Sequence, residues 1–70
     1  MTRSALFLQQ IEAFLARTGM NQTEFGKLVA NDTSFVPDLR NGRRPNVDLV
    51  ERVQQFMIER ERALFEGNHP

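Results

Sequence analysis

Arg40, Arg43 and Arg44 fall within the five-residue stretch RNGRR, and they are the side chains best suited to chemistry in this chain. A guanidinium is a planar fork of N–H donors that matches an oxyanion, so a cluster of three suits the phosphates of a nucleic-acid backbone. Its plainer reading is a patch of solvated charge. Little else in the chain can react. The single histidine, His69, is next to last, and no nucleophile can be paired with it as a base. There are no cysteines, which removes thiolate metal sites and disulfides. A metal bound by carboxylates alone would need several to converge without imidazole help. Catalysis, a metal, a cofactor and a small-molecule substrate are therefore not expected.

Seventy residues make one domain with a thin core. Nine basic residues balance nine acidic ones, so the net charge of zero favours no partner. Distribution is more telling: the arginines cluster near position 42, whereas Asp48, Glu51, Glu59, Glu61 and Glu66 follow them. The longest apolar run, Ala5-Leu6-Phe7-Leu8, is too short for a membrane span or a signal-peptide core. Together with the missing cysteines this fits a cytoplasmic, membrane-independent protein.

Four helices must carry the arginines. Phe7, Ile11, Phe14 and Leu15, with Leu8 beside them, recur at spacings of three and four, which predicts a helix over 3–18 closed by Gly19. Asn21 followed by Glu24 reads as a capping box, with Met20 and Phe25 placed as a hydrophobic staple. The second helix then spans 21–30 with Phe25, Leu28 and Val29 inward. Asp32 or Thr33 would cap a third helix near 33–41, with Phe35, Val36 and Leu39 inward. Pro37 demands that it start late, near Thr33 or Ser34, or have a distorted first turn. Gly42 ends it. Asn46 caps a fourth helix over 46–66, with Asp48 in its first turn and Val47, Val50, Val53, Phe56, Met57 and Leu64 as its stripe. Asp48–Arg52 and Arg62–Glu66 are spaced as surface pairs. No alternating run suggests a strand. The fold class is all-α, one domain over 1–66, with 67–70 as a disordered tail.

Gln22, Gly26, Ala30, Val36 and Leu39, with Phe25 and Val29 at the other packing points, have a spacing that resembles the helix-turn-helix of the phage Cro and repressor (Xre-like) family. The resemblance covers residues 21–45, with the motif proper at about 21–42, and RNGRRP resembles that family's exit from its recognition helix. It implies a lambda-repressor-like domain with an extended C-terminal helix, whose partner is double-stranded DNA. Two departures stand out. Ala30 replaces the turn glycine and Asn31 the following aliphatic, so a wider turn is expected. The exposed face of helix three also carries no arginine, lysine or glutamine to read a base edge.

On this resemblance Gln22, Thr23, Lys27, Arg40, Asn41, Arg43 and Arg44 hold the DNA backbone, while Thr33, Ser34, Pro37 and Asp38 face the bases. The plainer reading of Ser34 and Asp38 is solvated surface. Leu64 and Phe65, late in an overlong helix, either fold back on helix one or form a homodimer seam. The expected function is a bacterial or phage DNA-binding transcription regulator, acting as a dimer because one module makes few base contacts. The alternative is a helix-turn-helix scaffold that binds a partner protein within a larger transcription or phage complex. A single domain of a longer regulator is a third.

Overall fold

A computed structural model describes residues 2–66 and has four helices in the expected order, with no strand among those residues. Helix α1 (Arg3–Thr18) begins where Thr2 Oγ1 accepts the Ala5 N–H at 3.1 Å. It ends at Gly19, whose φ of 74° is open to glycine without a steric penalty. Helix α2 (Gln22–Ala30) starts with Asn21 Oδ1 accepting the Glu24 N–H at 2.7 Å. That is one half of the expected capping box; the Glu24 carboxylate makes no return bond among the described residues. Helix α4 (Val47–Glu66) starts likewise, with Asn46 Oδ1 accepting from Leu49 N–H at 2.8 Å. The three outer caps were thus written in the local sequence, one of them at a residue not singled out above, Thr2.

Helix α3 (Phe35–Arg40) is shorter than the expected 33–41 span and begins later. Neither Asp32 nor Thr33 caps it. Instead Asp32 Oδ1 accepts from both the backbone N–H and the hydroxyl of Ser34, each at 3.0 Å, and its carbonyl accepts the Phe35 N–H at 3.1 Å. This side-chain turn uses up residues 32–34 and delays the helix by one step. Pro37 consequently falls third in α3, within the first turn, where no intrahelical donor is needed. The conflict raised by proline is resolved by the late start.

The core is one cluster: Phe7, Ile11 and Phe14 from α1, Phe25 and Val29 from α2, Phe35, Val36 and Leu39 from α3, and Val53 and Met57 from α4. Phe14, Phe25 and the half-buried Phe56 form a triangle, with ring centroids 5.6, 6.2 and 5.8 Å apart and tilted or edge-on geometry. Met20 packs against this cluster, as a staple should. Three expected core residues stay outside. Leu28 is exposed because the buried arc of α2 is centred between Phe25, Gly26 and Val29, and Leu28 lies about 100° round from it. Val47 and Leu64 are exposed because they sit near the two ends of a helix about 30 Å long, beyond the reach of so small a core. The expected Asp48–Arg52 ion pair does not form; the Glu66 side chain and the 67–70 tail lie outside the described residues. A long-range ion pair, Arg17 with Glu61, 2.8 Å apart, ties α1 to the distal half of α4.

Among the described glycines only Gly26 is crowded: a Cβ there would run into the Asp32 carbonyl oxygen and come to 3.1 Å from Phe35 Cβ. Gly26→Ala should therefore destabilise the domain by about 1–3 kcal/mol, although alanine is the better helix former. Urea unfolding followed by circular dichroism measures it. A variant as stable as the parent would mean that the turn has room to move aside.

Candidate nucleic-acid interface

The connection between α2 and α3 decides which surfaces these helices leave open. Asn31 adopts a left-handed conformation, φ 51°, and takes the bending role one residue after Ala30. Asparagine tolerates that region better than other side-chain-bearing residues. The Asp32 N–H then reaches back to the Gly26 carbonyl at 3.1 Å, while the Asn31 N–H bonds to Lys27 at 3.1 Å. With Phe25, Gly26 and Val29 turned inward, Thr23 and Lys27 stand together on the exposed side of α2. With Phe35, Val36 and Leu39 inward, Ser34, Pro37, Asp38 and Asn41 occupy the outer side of α3. Pro37 and Asp38 are half-buried there, and Thr33, Ser34 and Asn41 are exposed.

The exit from α3 is a hydrogen-bonded reversal. Gly42, at φ 101°, donates to the Leu39 carbonyl at 3.1 Å, and the Arg43 N–H donates to the Asp38 carbonyl at 2.9 Å. That pair of bonds defines a Schellman turn. It points Arg43 back over α3, and the three guanidinium groups do not converge.

Arg40 turns toward α1. Its Nε and Nη2 donate to Glu12 Oε2 at 3.2 and 3.1 Å, and Nη1 donates to Gln22 Oε1 at 2.6 Å. The Gln22 amide NH2 makes no hydrogen bond among the described residues and remains a donor. Arg43 Nη1 donates to Asp32 Oδ2 at 2.7 Å and to Asp38 Oδ2 at 3.5 Å. Its guanidinium carbon also stacks 5.2 Å from the centroid of the buried Phe35 ring. Arg44 is exposed and, like Lys27, has no ion-pair partner among the described residues. Sequence reasoning placed the arginines together but missed Glu12 and Asp32 as their partners. Asp32 looked like a helix cap, and nothing local signals that Glu12 meets a residue 28 positions away.

Residues 21–45 hold Lys27, Arg40, Arg43 and Arg44 against Glu24, Asp32 and Asp38, a surplus of one positive charge. With Arg40 and Arg43 balanced by carboxylates, the unpaired positive charge sits at Lys27 and Arg44. At the opposite end Leu6 and Ile58 line an open groove between α1 and α4, and Leu64 and Phe65 remain 49% and 72% exposed. Neither of the latter two folds back into the core with α1. Among the described residues no group of acidic or histidine side chains is placed to hold a metal, and no helix is long and apolar enough to cross a membrane. Comparison with protein-family models, with curated proteins and with solved structures finds no match.

The Asp32 carboxyl is held below the ordinary carboxylate range, first by the Arg43 hydrogen bond and then by the amide and hydroxyl of Ser34, against a smaller opposing effect of desolvation. Glu61 is lowered in the same sense, chiefly by Arg17. A carboxyl whose folded pKa lies below its unfolded value stabilises the fold fully above the unfolded pKa, and that contribution disappears as pH falls through the folded one. The urea midpoint should accordingly drop as pH falls below the ordinary carboxylate range of about 4. The drop should be smaller for Asp32→Asn. An identical acid response in that variant would show that the turn contributes nothing to it.

Proposed function

We propose that this chain is a DNA-binding transcription regulator of the helix-turn-helix kind, with α2 and α3 as its reading unit. The observation that carries the reading is the close crossing of α3 over Gly26. It locks a short helix onto α2 and leaves both outer faces accessible, with Thr23, Lys27, Ser34 and Asn41 exposed and Pro37 half-buried. Gln22, Thr23, Lys27, Asn41 and Arg44 are the backbone-holding groups. Arg40 acts indirectly: by engaging Gln22 Oε1 it leaves that side chain's NH2 to donate to a phosphate. Thr33, Ser34 and Pro37 lie against the major groove. Neutral overall charge argues for weak non-specific attraction, so pairing of two modules is part of the proposal. Its seam is the α1–α4 groove end, with Leu64 and Phe65.

A second reading is favoured by a specific observation. Arg40 and Arg43 are already charge-paired with Glu12, Asp32 and Asp38, as would suit a scaffold that binds protein rather than phosphate. Retardation of a random duplex at low salt separates the two. Within residues 21–45 the two cations without an ion pair, Lys27 and Arg44, imply about four neutralised phosphates per dimer and a log–log salt slope near −4. Replacing both by alanine should flatten that slope to about −1 or less. No retardation at tens of micromolar protein, where non-specific binding of such modules falls, would favour the protein-binding scaffold.

A further inference from the structure

Helix α3 lacks a side chain of the kind that forks onto a purine, yet a guanidinium lies over its N-terminal half. It comes from beyond the helix. The Schellman turn at Gly42 folds the chain back so that Arg43 is joined to Asp38 twice, through its backbone N–H at 2.9 Å and its side chain at 3.5 Å. Asp32 grips the same Nη1 at 2.7 Å, and the Phe35 ring supports the guanidinium from beneath. Both carboxylates therefore take one nitrogen. Nε and Nη2 make no hydrogen bond among the described residues, and the side chain is 36% exposed. What remains free is a two-donor edge with its direction already fixed.

We propose that Arg43 is the base-reading residue of this surface, donating from Nε and Nη2 to O6 and N7 of a guanine, with Asp32 and Asp38 as its positioning residues. This rests on the DNA-binding reading above. A bidentate guanidinium–guanine pair is the commonest specific contact in the major groove. The same fork could meet a phosphate, but the local charge disfavours it. One guanidinium beside two carboxylates sums to −1, which repels a phosphodiester, whereas the guanine edge is neutral and offers two acceptors. Preorganisation also removes much of the rotamer entropy a long free arginine loses on binding. The proposal gives Asp38 a purpose on a face where an acid would otherwise only weaken binding.

The test is selection of bound duplexes from a random pool, followed by affinity measurements on the selected site with one guanine replaced by adenine or by 7-deazaguanine, which lacks the N7 acceptor. The wild-type protein should prefer guanine at one position per half-site by about tenfold or more and should lose part of that preference with 7-deazaguanine. Arg43→Lys and Arg43→Ala should bring the ratio close to one, while random-duplex affinity changes by less than about fivefold. Asp38→Asn should strengthen random-duplex binding, because it removes a negative charge, and yet reduce the guanine ratio. A structural role alone would not produce those opposite signs. Uniform weakening of all duplexes by Arg43→Ala, with the base preference intact, would overturn the assignment in favour of a phosphate contact. Should an arginine variant lose its helical circular dichroism, the 7-deazaguanine comparison on the unaltered protein decides by itself. Wild-type binding without an enriched guanine sinks this inference alone; absence of any duplex binding sinks the DNA-binding reading with it.

Discussion

Because residue 26 has no Cβ, the backbone of α2 can meet the turn that follows it, and the architecture of the other side of the molecule follows from that approach. The Asp32 carbonyl occupies the space a side chain would take, and Phe35 Cβ lies just beyond. Only then can Phe35, Val36 and Leu39, from a helix of six residues, reach the same core as Phe25 and Val29. A helix so short is not stable alone, since nucleation costs more than one and a half turns return. Its form is imposed by burial of those three side chains and by the Asp32 turn in front of them. The loop beyond α3 inherits its direction from this seating.

Electrostatics in this small domain orients groups more than it holds the fold together. The four ion pairs among the described residues are all partly exposed, and pairs of that kind contribute little stability. Their geometry is nonetheless specific. Arg17 with Glu61 steadies α4 against α1, Arg40 joins α3 to the middle of α1 and the start of α2, and Arg43 is clasped between two carboxylates and a phenyl ring. A chain with no net charge thus carries sharply directed local charge, which bears on selectivity rather than on general attraction to a polyanion.

Much of the fold was legible locally. The outer helices, the Asn21 and Asn46 caps and the Gly19 and Gly42 ends follow from periodicity and from residues that favour particular backbone angles. The start of α3 was not legible, because Asp32 can cap a helix or close a side-chain turn with Ser34, and proline only limits the choice. Val47 and Leu64 were assigned to the core because periodicity marks a face but not how far the neighbouring helices extend along it, and Leu28 because the pattern does not show that the buried arc of α2 is centred on Gly26. In the candidate site, Lys27, Thr23, Asn41 and Arg44 stand out on the surface as residue type and register suggest.

Composition, spacing and turn chemistry determined that this protein is four helices with a compact middle pair and an arginine-rich loop after Gly42, since those signals act within a few residues. Which arginine faces outward was decided only by tertiary structure. Glu12 comes from a different helix, and Asp32 from the turn at the other end of α3, so their distances to Arg40 and Arg43 exist only once the chain has folded. A guanidinium on a long, flexible stem goes to whichever acceptor packing brings within reach, and no local pattern encodes that meeting.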